Sequence, residues 1–191
     1  MNDRRGPTTF ALEAQGETLT FFGEPDSAAP RLEFEVQIAP GAMGPTPHIH
    51  PKQSELFTVS TGQMLATVDG VEHLVGPGEE LLVQPGAVHS FRNGSEAEPL
   101  VLRCTVEPAL NFQWMLTESA KSAIRSGGRW KDASLLEGAY ILRQIPGEYR
   151  LVGMPRPVES LLLGTLATLA VLLGKARNIE PLQARPGTER R

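Results

Sequence analysis

The 191-residue sequence predicts an all-β antiparallel barrel followed by a C-terminal α-helical extension. Three observations carry that expectation. Leu32, Phe34, Val36 and Ile38 alternate with Arg31, Glu33, Glu35 and Gln37, the period of a strand with one buried face. Short apolar segments then recur with turns between them, and Asp69-Gly70 and Asn93-Gly94 are the residue pairs that tight hairpins require. After Glu107-Pro108 the apolar spacing switches from alternation to the helical period.

Taken in order, residues 1–17 are expected to be a flexible N-terminal segment. The barrel is assigned to residues 18–107. Its strands are expected at 18–22, 31–39, 55–60, 64–68, 71–75, 80–83, 88–92 and 100–106, and residues 24–30 form a loop. A helical extension is assigned to residues 108–177. Its first helix covers 111–126 and ends at Gly127-Gly128. A second covers 132–145 and stops at Pro146-Gly147; a third opens at Pro157 and runs to about residue 176. Residues 178–191 form a polar tail.

The third helix holds 15 uncharged residues between Glu159 and Lys175. That falls short of the roughly 20 apolar residues a membrane span needs. The expectation is a helix buried on the barrel or in a homodimer interface. Contact of residues 158–176 with a membrane surface, flanked by Arg156, Lys175 and Arg177, is the less favoured alternative.

Bulk composition excludes some classes. The net charge is −4, which favours neither nucleic acid nor an anionic surface as partner. Cys104 is the sole cysteine, so no intramolecular disulfide can form, and a cytoplasmic location is expected. The opening residues carry charge with no apolar run behind them, unlike a signal peptide.

The most informative pattern lies elsewhere. The chain has four histidines, and three fall into one motif. His48 and His50 are two apart, a spacing that puts both imidazoles on one face of a strand. Glu55 follows after four residues, and His89 arrives later in a Pro85-Gly86-Ala-Val-His turn. Glu55 shares strand parity with Phe57 and Val59, and His89 with Phe91, so both should point inward. Three imidazoles and a carboxylate suit Fe, Mn, Ni, Cu or Zn.

The residues around these positions complete two motifs. The first runs from Gly44 through His48, His50 and Glu55 to Gly62. The second runs from Gly78 through Gly86 and His89 to Asn93. Together they resemble the two motifs of the cupin superfamily. Two departures concern turns only: Gly44 sits nearer to His48 than in the family motif, and Gln84 stands at the motif's proline position with Pro85 after it. The resemblance covers roughly residues 18–107 and implies a small single-domain cupin of the type 2 conserved-barrel kind. It further implies a jelly roll, with His48, His50, Glu55 and His89 binding one divalent transition metal.

Other residues are read more plainly. His73 lies on a strand outside the motif and is expected to be exposed. Cys104 alternates with Leu102 and Val106 and is read as an inert buried thiol. Trp114 and Trp130 are assigned to packing, Lys52 and Gln53 to a loop at the barrel mouth, and Glu79 and Glu80 to turns. No general base stands out beyond the ligands. The expected function is a metal-dependent enzyme with dioxygenase-like oxidoreductase chemistry on an unknown small molecule. A Lewis-acid isomerase or decarboxylase and a non-catalytic ligand-binding or sensor module are the competing readings.

Overall fold

The computed structural model describes residues 6–26 and 28–182. Residues 1–5 of the expected N-terminal segment and 183–191 of the expected tail lie outside the described residues.

Two antiparallel sheets form the barrel. One has the order β1-β2-β3-β10-β5-β8, comprising β1 (Thr8–Leu12), β2 (Glu17–Phe21), β3 (Leu32–Ile38), β10 (Leu100–Glu107), β5 (Ser54–Thr61) and β8 (Glu80–Val83). The other has the order β11-β4-β9-β6-β7, comprising β11 (Arg150–Leu151), β4 (His48–Ile49), β9 (Val88–Asn93), β6 (Met64–Val68) and β7 (Val71–Val75). Alternation does what the sequence predicts. Phe34 sits opposite Cys104, and Cys104 opposite Phe57, so one inward row crosses three strands. Val36, Leu102 and Val59 make the next row. Met64, Ala66 and Phe91 of the second sheet belong to the same core.

The sheet starts earlier than the sequence suggests. The N-terminal segment expected to be flexible forms a strand from Thr8, because Leu12 has a place in the core and is fully buried. Gly16, at φ 72°, makes the turn back into β2. Gly62 of the first motif is required twice over. Its φ is 78°, and a Cβ there would run into the Pro99 carbonyl.

The extension holds α1 (Phe112–Ser126), α2 (Leu135–Gln144) and α3 (Arg156–Leu172). A 3-10 turn at Trp130–Asp132 precedes α2, so the helix expected from residue 132 starts three residues later. Ser134 is the reason: its side chain accepts from the Glu137 backbone N–H as an N-cap. The α1 helix lays Phe112, Trp114 and Met115 into the core. Arg125 on α1 pairs with Glu137 on α2 at 2.9 Å. The α3 helix packs along α2. It buries Ala167 and Ala170, while Leu161 and Leu172 stand 73% and 74% exposed. Within one chain, then, much of the apolar face of this helix stays uncovered. No helix among the described residues is long and apolar enough to cross a membrane.

Candidate metal centre

The four residues singled out in the sequence converge. His48, His50, Glu55 and His89 are all buried, and their potential ligand atoms lie within 4.8 Å of one another. The fold places each for a local reason. His48 on β4 is the direct cross-strand partner of His89 on β9. Glu55 enters from the opposite sheet, on β5, sharing its inward face with Phe57 and Val59. His50 follows just past the end of β4, where Pro47 and Pro51 keep the ladder short.

Hydrogen bonds fix the tautomers. A carbonyl can only accept, so the His48 Nδ1–H donates to the Thr46 carbonyl at 2.9 Å. The His89 Nδ1–H likewise donates to the Ala87 carbonyl at 3.2 Å. Both Nε2 atoms therefore face the cluster. His89 Nε2 lies 3.0 Å from Glu55 Oε2, and His50 Nε2 lies 3.6 Å from the same oxygen.

The electrostatics follow from this arrangement. Burial, helped by the neighbouring His89, pulls His48 down to about 3. Burial and the same neighbours also hold His50 well below its ordinary value. At His89 burial acts in the same sense, but the Glu55 hydrogen bond and charge outweigh it and raise the group. Two imidazoles are thus held neutral and one is matched to a carboxylate.

Neither ring nitrogen of His50 meets a hydrogen-bond partner of good geometry, although the Gln53 amide and the Glu148 backbone approach it. Gln53 Oε1 is similarly unmet. Buried polar atoms are rarely left so. A cation among four converging donors satisfies His50 and compensates the buried carboxylate. The residues present therefore fit a metal.

A cavity of about 260 Å³ adjoins His48 and Glu55. Its walls are apolar, with Phe34, Phe91, Phe112 and Met115 among them, so α1 closes over the barrel mouth. The segment before β11 adds Tyr149, and β2 adds Glu17.

A family model for the cupin domain matches residues 34–106, which includes all four converging residues. The chain carries a cupin domain. Over 49 residues this cupin is 45% identical to a probable oxidoreductase, patJ, of Aspergillus clavatus, and 43% identical to its namesake in Penicillium expansum. Each match covers 25% of this chain and 15% of the relative. Among solved structures, Pac13 of Streptomyces with uridine is 21% identical at a TM-score of 0.47, covering 59% of this chain and 88% of that one. Pac13 is described as a nucleoside dehydratase. An RmlC-like cupin from Shewanella frigidimarina is 19% identical at a TM-score of 0.46, covering 56% and 89%.

Other expectations fare variously. Cys104 is buried, and burial pushes its thiol well above the usual range, as fits an inert group. Glu79 and Glu80 serve turn and surface bonds, to the Gly76 N–H and the Thr58 hydroxyl. His73 stays outside the cluster, but it is half-buried rather than exposed, because it shares a strand face with buried Val75. Gln53 is not a loose mouth residue. It is 1% exposed, and its amide donates to the Pro108 and Ala109 carbonyls at 3.1 Å each. Tyr149 carried no strand or motif signal. Glu17 did carry one: its parity with Leu19 and Phe21 puts a carboxyl on an inward face.

Proposed function

We propose that this cupin is a metal-dependent protein acting on a small organic molecule, with dioxygenase-like oxidoreductase chemistry favoured. The observation behind this reading is the convergence of three imidazoles and one carboxylate on the wall of an apolar, helix-covered cavity. His48, His50, Glu55 and His89 would hold one divalent transition metal, of Fe, Mn, Ni, Cu or Zn type. Such a metal supplies Lewis acidity and, when redox-active, an electron acceptor or donor.

The chain's own residues supply the rest. Thr46 and Ala87 carbonyls hold His48 and His89 in the tautomer that presents Nε2. Gln53, fixed by two backbone carbonyls, flanks His50. Phe112 packs edge-on against His50 at 4.8 Å between ring centroids and, with Met115, lines the cavity with apolar surface. A pocket lined mainly by apolar side chains suits a substrate with a largely apolar body. The oxidoreductase names of the two fungal relatives support the redox form of the reading over its Lewis-acid form.

A second copy of the chain is the proposed macromolecular partner. The exposed leucines of α3 support a homodimer, since so contiguous an apolar face is seldom left in water.

The test is elemental analysis of purified protein, followed by calorimetric titration with each of the five metals and oxygen-consumption assays on the loaded forms. One bound metal per chain is expected. Wild-type protein that takes up none of them would sink the reading.

A further inference from the structure

One carboxyl in the cavity stands apart from the metal set. Glu17 opens β2 with its side chain on the inward face, and it is 4% exposed. It lines the same cavity as His48 and Glu55. Among the described residues no basic side chain pairs with it. Its one hydrogen bond there comes from the Trp130 indole N–H, which donates to Oε2 at 2.8 Å. Holding Trp130 requires only an acceptor oxygen, which a neutral amide would provide. A carboxyl in an apolar wall costs stability beyond that need. Burial, opposed by the Trp130 hydrogen bond, raises this carboxyl to about 7. At neutral pH it can therefore donate or accept.

We propose that Glu17 is the second polar anchor of the cavity, hydrogen-bonding a hydroxyl or amine at one end of an elongated, otherwise apolar ligand whose other end presents an oxygen to the metal. This rests on the metal reading above. The fold sets the ligand's shape. Three inter-strand steps, β2 to β3 to β10 to β5, and the offset along β10 from the Leu100 row to the Val106 row separate Glu17 from Glu55, so the two carboxyls stand toward opposite ends of the inward face. A cavity of about 260 Å³ touches both carboxyls, and Phe34, Val36 and Cys104, from the rows between them, line it. The ligand class is thus an alkyl or aryl-alkyl chain with polar groups at both ends.

The experiment uses the full-length protein loaded with zinc. Straight-chain alkyl hydroxamates of graded length, each with and without a terminal hydroxyl, are titrated calorimetrically. The plain hydroxamates report the metal. At the matching length, the terminal hydroxyl should tighten binding by about tenfold. Glu17→Ala should abolish that preference, so that hydroxyl-bearing and plain hydroxamates of each length bind alike. Glu17→Gln keeps an acceptor for Trp130, so it guards against a folding defect. It should also remove the protonated-carboxyl stretch from the infrared spectrum of metal-free protein near neutral pH. Hydroxamate binding with no hydroxyl preference at any length, or a preference that survives in Glu17→Ala, overturns the anchor alone and leaves Glu17 as a brace for Trp130. Hydroxamates that all fail to bind zinc-loaded protein likewise overturn the anchor alone, whereas failure of zinc to load overturns the metal reading and the anchor with it.

Discussion

Tyr149 stacks on His48, with ring centroids 5.1 Å apart and planes 13° from parallel. The contact is built by the helical extension. Leu151 of β11 pairs with His48 of β4, which brings the preceding residues over the His48 ring. Asn111, at the head of α1, holds Glu148 through two bonds of 3.0 and 2.7 Å. The helical extension therefore sets one wall of the candidate metal site.

Tyr149 should matter through its ring. Burial, with the charge of Glu55, keeps its hydroxyl above the ordinary range, so it stays protonated. Tyr149→Phe is expected to keep metal affinity. Tyr149→Ala frees the His48 ring and should weaken affinity by about 10–100-fold, the usual effect of removing an outer-shell support. Calorimetric titration of both variants decides it; equal affinities would show the stack to be incidental.

Asn93 is a motif residue of a different kind. It is fully buried, and its amide N–H groups bond the Ile38, Ala39 and Glu98 carbonyls while its Oδ1 accepts from the Ser95 N–H. It braces the strand ends. Asn93→Ala should cost about 2–4 kcal/mol by orphaning these groups. Metal stoichiometry of the folded fraction should be untouched. Urea unfolding alongside metal analysis separates the two; loss of metal without loss of stability would contradict the bracing role.

Glu17 should leave a signature in stability against pH. Its carboxyl has an ordinary value of 4.5 and is raised to about 7 in the fold. Between those values the folded state holds a proton that the unfolded state has released. Stability from this group is therefore intact at and below pH 4.5 and is lost as pH rises through about 7. The loss approaches about 3 kcal/mol at most. Glu17→Gln lacks this limb, so the difference in unfolding free energy between metal-free wild type and variant should change across that window. A constant difference would count against the burial effect.

Much of this was legible in the sequence, for a physical reason. Strands with one buried face alternate, so β3, β5, β9 and β10 could be bounded to within a residue or two, and parity alone turned Glu55 and His89 inward. The convergence of His48, His50, Glu55 and His89 was legible because they share two motifs. What escaped depends on contacts between segments far apart in the chain. The seat of Tyr149 on His48 needs β11 to pair with β4, across about a hundred residues. The burial of Gln53 needs the Pro108 and Ala109 carbonyls. β1 escaped because only Leu12 of its residues is buried. The third helix misled in a further way: its buried apolar residues are Ala167 and Ala170, while Leu161, Leu162, Leu169, Leu172 and Leu173 stay exposed.

Those exposed leucines yield the fourth prediction. With Leu161, Leu169 and Leu172 outward on α3, the purified protein is expected to be a dimer by light scattering, without detergent. Leu161→Asp with Leu172→Asp should give a monomer that keeps its metal. A monomeric wild type would refute the dimer, and recovery only with anionic vesicles would favour the membrane-surface alternative.

The last prediction concerns the metal set itself. His50→Ala and His89→Ala should lose metal, and His73→Ala should not, since it lies outside the cluster. The pH dependence has a definite sign. In the metal-free protein His89 donates through Nδ1 to Ala87 and faces Glu55 through Nε2, so the cluster takes up its first proton there, above the ordinary 6.5. His48, held down at about 3, and His50, also lowered, remain neutral and ready. Binding a metal must then displace one proton, from His89. Affinity should fall by about tenfold per unit as pH drops below the His89 value, and no second proton should enter near neutrality. Titration in buffers of differing ionisation enthalpy counts the proton directly. Uptake with no proton released, at a pH where His89 is charged, would show that His89 is not a ligand.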